Sequence, residues 1–400
     1  MSPKNPVRLT DCLWVRGDMI DVARGVAAER HVLRELGVRV ETLKNRQDHE
    51  GLSRLRQIAW KTDDHIVLAR LLPVELKALY PIFKNRGNFS IMEHDWWITP
   101  YWYTRNARYV LYNNYTALAV RRGQAPFAQF RAVPFLQLPE IYRTYFLNML
   151  AVRLGSLALY PLLESMNWWR RRTEPVRPEQ MIFLPYAVRE EELPLPATEI
   201  KYDFSSLGGT NGIWFMRDPF APSYFTGANL YADRRRFIDL IMACQGDPFR
   251  VYDVRTEDRF VPWEEYCQIT RESRFTLATG GFHHSAVPKF LESACLGTPM
   301  IGRPLPFEFP WLNQCLFPLD PATITRHNIR TKLSEALSLS PKLRENCLNL
   351  RKSLLQLYSF ESLLRMAQDQ IEGKPIPYGY LTPAARPEMP ESQVPNVPVS

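Results

Sequence analysis

A chain of 400 residues, 46% hydrophobic and 23% charged, is too long for one small core and describes a folded protein of about two ordinary domains rather than a disordered segment. No stretch approaches roughly eighteen uncharged apolar residues, and the N-terminus has no basic start followed by an apolar block, so neither a membrane span nor a secretory signal is predicted. A formal net charge of +8 favours an anionic partner such as a nucleotide, an acidic glycan or a lipid surface. The chain has no long Lys/Arg run, RNP-like aromatic motif or zinc-finger spacing, which speaks against nucleic acid.

In chain order, residues 1 to about 60 read as charged and helix-like, with amphipathic spacing over 22–36. Residues 65–72 (HIVLARLL) suit either a buried strand or a helix start. Residues from Pro73 read as helical up to Gly87, and 89–92 and 109–112 as short strands. The longest helical stretch runs from Pro139 to about Met166, bent by Gly155 and Pro161. Trp168 and Trp169 beside Arg170, Arg171 and Arg172 suit either a peripheral contact with an anionic membrane surface or a half-buried pair under a solvated arginine face. Residues 181–184 form the last strand of this half. Strands alternating with helices predict an α/β fold with a parallel sheet.

The charged, proline-bearing run REEELPLPATE predicts a linker over 190–200. This divides the chain into a domain over 1–189, a second over 201–372 and a proline-rich, loosely docked or disordered tail over 373–400. The second half reads as strand 202–207 ending at Gly208 and Gly209, helix 237–243, strand 249–254 and helix 263–272. Strand 275–278, a glycine turn at Gly280 and Gly281, and a short helix follow, and the helix is capped by Ser285 and carries Pro288 in its first turn. Gly297 stops that helix and a strand follows Pro299. Residues 315–319 are a strand, 329–339 a helix, and 343–371 largely helical. The six cysteines (Cys12, Cys244, Cys267, Cys295, Cys315, Cys347) are scattered without a CxxC pair, predicting reduced core thiols and a cytoplasmic setting.

Ser285, Lys289 and Glu292 form the best chemical constellation. A helix N-terminus after a glycine loop at a strand's carboxyl end offers unpaired N–H groups to a diphosphate. Lys289 adds a mobile cation, and Glu292, three residues on, can accept both hydroxyl protons of a ribose. An ordinary surface Lys–Glu pair has the same spacing. Arg217 is a further phosphate candidate, whereas the run Arg234, Arg235, Arg236 also suits a solvated helix start.

Residues 266–301, with the proline loop 304–310 after them, resemble the donor-binding half of GT-B glycosyltransferases. FLESACLGTPMI resembles the group 1, CgeB-like branch, and the strand–loop–helix run with the LPFE after it resembles the exostosin-like branch. YDFSSLGGTNG with RRRFIDLI resembles the first strand, glycine loop and first helix of the same domain. The resemblance covers about the second half of the chain.

It implies two Rossmann-like domains facing each other across a cleft, a nucleotide-diphosphate-sugar donor, an unidentified hydroxyl acceptor, and carbohydrate biosynthesis as the setting. It implies no cofactor and no metal, the helix dipole and basic residues neutralising the leaving diphosphate. Donor-binding residues would be Gly208, Gly209, Arg217, His284, Ser285, Lys289 and Glu292. His284 stands where the group 1 pattern has its first glutamate, which leaves retaining stereochemistry open and points to a turnover-deficient binding protein on the same fold as one alternative; an epimerase on that fold is the enzyme alternative. On the acceptor side, Glu93, His94 and Asp95, between a strand and Trp96–Trp97, are the catalytic candidates, one of them as general base. Asp63 and Asp64 are a second candidate base.

Overall fold

The computed structural model describes residues 7–17, 32–43, 49–61, 63–69, 71, 79–83, 88–92, 106–113, 180–207, 232–246, 249–253, 261–278, 287–302, 305, 308–319 and 324–381. Among these, two parallel sheets follow one another along the chain, each with helices against it: the α/β architecture expected from the alternation, doubled into the two Rossmann-like domains that the resemblance implies. The first sheet holds β1 (Leu13–Gly17), β2 (Arg39–Leu43), β3 (Ile66–Ala69), β4 (Phe89–Met92), β5 (Val110–Tyr112) and β6 (Met181–Phe183), in the order β2-β1-β3-β4-β5-β6. The second holds β7 (Tyr202–Ser206), β8 (Val251–Asp253), β9 (Ser273–Ala278), β10 (Met300–Gly302) and β11 (Leu316–Pro318), in the order β11-β10-β9-β7-β8. Every pairing is parallel.

The ambiguous run 65–72 is β3, and IVLA is buried along its whole length, as a central parallel strand must be. Two strands went unread. β1 and β2 lie inside the stretch that looked helical, because Arg16, Arg39 and Glu41 hide their pattern. Trp14 and Val15 are nevertheless fully buried, and Arg16 is 1% exposed. Among the described residues of that stretch, α1 (His49–Lys61) and the helical residues 32–35 match the helical reading, and 18–31 lie outside the described set. The expected long helix at 139–166 and the Trp168–Arg172 cluster lie outside the described residues.

In the second half, α2 (Ala232–Met242), α3 (Trp263–Arg271), α4 (Pro288–Cys295), α5 (Ile329–Leu357) and α6 (Phe360–Ile371) cover the sheets. The break expected near residue 340 is absent: α5 runs through Pro341. Before the proline its Ile329, Leu333 and Ala336 pack with Phe237, Ile238 and Ile241 of α2 over one core. After it, Cys347, Leu354 and Leu355 join Phe290, Leu291 and Ala294 of α4 in another. Burial against two cores outweighs the roughly 3 kcal/mol that an interior proline costs a helix. The chain breaks instead at Tyr358, and Ser359 Oγ caps α6 by accepting from Ser362 N at 3.2 Å.

α6 crosses back to the first sheet. The Gln370 side chain accepts from Phe183 N at 2.8 Å and donates to Phe183 O at 2.7 Å. Gln368 does the same with Leu9 N at 3.1 Å and Val7 O at 3.0 Å, and Phe360 meets Trp14 edge to face. The beginning of the expected loose tail is docked: Tyr380 and Leu381 are buried, Tyr380 Oη donates to Leu357 O at 2.7 Å, and Glu308 bridges to Leu381. Residues 382–400 lie outside the described set.

The linker is laced to the second domain by donors to its carbonyls. Trp263 Nε1 reaches Glu192 O (2.9 Å), Arg271 reaches Leu195 O (3.2 Å), Arg344 reaches Ala197 O (2.7 Å) and Arg351 reaches Leu193 O (3.3 Å). On its other side Arg189 pairs with Glu191 and lies 3.8 Å from Glu35 of the first domain. All six cysteines are buried, and none forms a disulfide.

His65 immediately precedes β3 at the amino edge of the first sheet, with Nε2 2.8 Å from Ser90 Oγ. Burial, assisted by the Arg108 charge, pushes its imidazole down to about 4. The unfolded chain therefore takes up this proton between pH 6.5 and 4 while the native chain resists it. Stability should fall through that window by about 3 kcal/mol and show no contribution from His65 above it. Urea unfolding at pH 7 and pH 5 should show a larger loss for the wild type than for His65→Gln; equal losses would refute the assignment.

Candidate functional site

In an open parallel sheet, ligands sit outside the carboxyl ends of the strands where the strand order reverses. In the second sheet that point lies between β7 and β9, which pair directly with Ser205 opposite Thr276. β7 brings the buried hydroxyls of Ser205 and Ser206 to this edge and leads in the sequence to Gly208 and Gly209; β9 ends at Ala278 and leads to Gly280 and Gly281. These glycines, with Arg217, His284 and Ser285, lie outside the described residues. The close approach at this edge is made by β10: a Cβ on Gly302 would stand 2.2 Å from the carbonyl oxygen of Ala278.

α4 follows. Ser285 was expected to cap it, but the helix starts at Pro288 with Val287 at the cap position and no side-chain cap bond. β-Branched Val287 sits in extended backbone, and proline takes the first helical position, where a missing N–H is harmless. The stop is as read. Gly297 has φ +74° and completes a Schellman turn, with Thr298 N bonded to Ser293 O (2.9 Å) and Gly297 N to Ala294 O (3.0 Å). It also lets the linker pass, since a Cβ there would stand 2.9 Å from Pro196 Cβ.

The inner face of α4 is fixed by burial of Phe290, Leu291, Ala294 and Cys295. Phe290 borders a ring cluster of Phe309, Trp311, Tyr358 and Tyr380, within which Phe309 is held at φ +57°. Lys289 and Glu292 are left half-buried on the other side of the helix. Glu292 is not a loose surface acid: the Tyr266 hydroxyl of α3 donates to its Oε2 at 3.0 Å. Burial and then the Glu292 charge hold the Tyr266 hydroxyl well above its ordinary range, so it remains a donor. The Tyr266 ring stacks on Trp263 at 5.2 Å, 11° from parallel. Sequence reasoning missed Tyr266 and Trp263 as partners, because the two helices meet across 26 residues and no local spacing records it.

In the first sheet the order reverses between β1 and β3. Arg16, with its guanidinium nitrogens buried, and Asn113, 2% exposed, lie at the carboxyl ends of β1 and β5. Glu93, His94 and Asp95 follow β4 in the sequence and lie outside the described residues. Asp63 and Asp64 do not belong to this edge. They precede β3 at its amino end, where Asp64 pairs with Arg39 and Asn88 Nδ2 donates to both backbone carbonyls, so the second candidate base is withdrawn. Among the described residues no group of three His, Cys, Asp or Glu side chains is placed to hold a metal ion, and no helix is long and apolar enough to cross a membrane.

No protein-family model matches the chain, and no curated protein matches it. Solved structures do. The chain is similar to Anabaena Alr3699/HepE, crystallised with UDP-glucose, at 10% identity over 90% of this chain and 99% of that one, with a TM-score of 0.46. It is similar to a glycosyltransferase from Rickettsia africae ESF-5 at 9% identity over 91% and 100%, TM-score 0.46. It is also similar to the UDP-GlcNAc 2-epimerase of Neisseria meningitidis, bound to UDP-GlcNAc, at 8% identity over 91% and 100%, TM-score 0.37.

Proposed function

We propose that the protein is a metal-independent glycosyltransferase that takes a sugar from a nucleotide-diphosphate donor held on its second domain and delivers it to a hydroxyl acceptor at its first. The observation that carries this reading is the adjacency of β7 and β9 at the order reversal of the second sheet. In the sequence, Gly208–Gly209 and Gly280–Gly281 follow these two neighbouring strands, and Lys289 and Glu292 of α4 come a few residues after the second pair. In this reading Gly208, Gly209, His284, Ser285 and the start of α4 receive the diphosphate. Lys289 and Arg217 neutralise it as it leaves, and Glu292 accepts from the ribose hydroxyls. One of Glu93, His94 and Asp95 takes the acceptor proton. A cytoplasmic enzyme in peripheral contact with an anionic membrane fits the net charge of +8 and the Trp168–Arg172 cluster.

A thermal-shift screen against UDP-, GDP-, ADP- and CMP-sugars should single out one base, because a ligand at a hundredfold excess over its Kd stabilises by about 2.7 kcal/mol. Glu292→Ala should weaken that binding roughly 10- to 100-fold, the worth of a charge-assisted hydrogen-bond pair, while the unliganded melting temperature moves only a few degrees. Free nucleoside diphosphate should be released only in the presence of acceptor. Release without it, or return of an epimerised nucleotide sugar, selects the other nucleotide-sugar chemistries. No shift with any nucleotide sugar, or a Glu292→Ala chain that binds as the wild type does, ends the reading.

A further inference from the structure

Glu292 is reached by an unbroken set of contacts that begins in the connection between the domains. Arg189 pairs with Glu191 and stands 3.8 Å from both Glu35 of the first domain and Glu192. The Glu192 carbonyl accepts from Trp263 Nε1 at 2.9 Å. The Trp263 ring lies flat on Tyr266, and the Tyr266 hydroxyl ends the series on Glu292 Oε2. Each joint restricts the next. The indole bond fixes the ring plane, and the stack fixes the direction of the phenol. The phenol, a single-proton donor, can satisfy one carboxylate oxygen only in one orientation.

A glutamate on a helix has three rotatable bonds, and holding it in one rotamer without help forfeits a kcal/mol or more of side-chain entropy when a ligand binds. Tyr266 removes that freedom before the ligand arrives. It also occupies one oxygen of the carboxylate and so settles which oxygen turns towards the nucleotide.

We propose that Tyr266 is a positioning residue for Glu292, setting the carboxylate for the nucleotide ribose, and that Trp263 ties this setting to the interdomain linker. The proposal rests on the reading of the second domain as a nucleotide-sugar site and names the device that makes its acid selective. The linker then reports to the site. A change in how residues 190–192 are seated moves the indole, the phenol and the carboxylate in turn.

The test is binding of UDP, GDP and ADP beside their 2′-deoxy counterparts, by calorimetry, to the full chain. The wild type should prefer the ribonucleotide of its base by about tenfold or more. Tyr266→Phe keeps the ring and the stack and loses only the donor. It should reduce the ribo/deoxyribo preference to about two- or threefold while leaving 2′-deoxynucleotide affinity nearly unchanged. A merely structural tyrosine would weaken both alike. Trp263→Phe, which keeps a stacking ring and removes only the bond to the linker, should lower the preference by a smaller factor and tests the same series from its other end. A wild type that binds nucleotides while Tyr266→Phe keeps the full preference overturns the positioning role alone. A full preference in Trp263→Phe overturns the tie to the linker. A wild type that binds none of the nucleotides removes the nucleotide reading and this inference together.

Discussion

Gly302→Ala is expected to destabilise the chain by about 3–5 kcal/mol, the range of severe overpacking. The new Cβ would meet the Ala278 carbonyl oxygen at 2.2 Å, and both atoms belong to paired strands whose register sets Gly302 opposite Ala278. Neither can yield by rotating a side chain. Retreat is closed on the other side as well, where Gly302 O accepts from Leu319 N at 2.8 Å. The sheet has to part at the carboxyl edge of β9, the strand that precedes α4 in the sequence. Urea unfolding should show a much earlier midpoint, and, under the proposed function, whatever protein stays folded should bind nucleotide less well. A midpoint displaced by less than about 1 kcal/mol would show that the two strands slide apart more easily than their hydrogen bonding implies.

The second large effect is expected from Arg351→Met, which keeps an apolar stem and removes the guanidinium. From α5 that group donates to the carbonyl of Cys295, in the last turn of α4, and at 3.3 Å to Leu193 O in the linker. Two charge-assisted bonds among half-buried and buried groups place the loss at about 3 kcal/mol. Arg351→Lys should recover only part of it, because an ammonium is one compact charge and cannot span both carbonyls as a planar fork does. Loosening should be local at first, so limited proteolysis within 190–200 ought to accelerate in Arg351→Met before global unfolding does. Equal cleavage rates in wild type and variant would separate Arg351 from the linker.

The second domain was legible wherever short apolar runs stood between turn residues. The end of α4 and the start of β10 followed from Gly297 and Pro299, and β7, β9 and β11 from their runs, to within a residue or two. β1 and β2 escaped because a strand carrying Arg16, or Arg39 and Glu41, has the composition of a helix face, and only the burial of β1 and its parallel pairing with β2 show otherwise. Pro341 misled for the converse reason: two cores hold α5 straight where local chemistry argues for a break. Ser359 carried a usable signal, a serine ahead of an apolar helix face, that was passed over. Of the candidate site, Lys289 and Glu292 followed from spacing along one helix. The adjacency of β7 and β9, and the hold of Tyr266 on Glu292, are long-range pairings that no window of sequence contains.

The return of α6 to the first sheet has a consequence for how this protein is made. Leu9 and Gln368 are hydrogen-bonded across 359 positions of chain. At ribosomal rates of about 5–20 residues per second, the first sheet spends roughly 20–70 s after its opening strand is synthesised before the helix that covers it exists. Trp14 remains without that cover for the whole interval, and Phe183, made later, for roughly half of it, about 9–35 s. The nascent chain therefore presents an apolar sheet face for chaperones to occupy, and the first sheet gains its α6 cover only after both sheets have been translated.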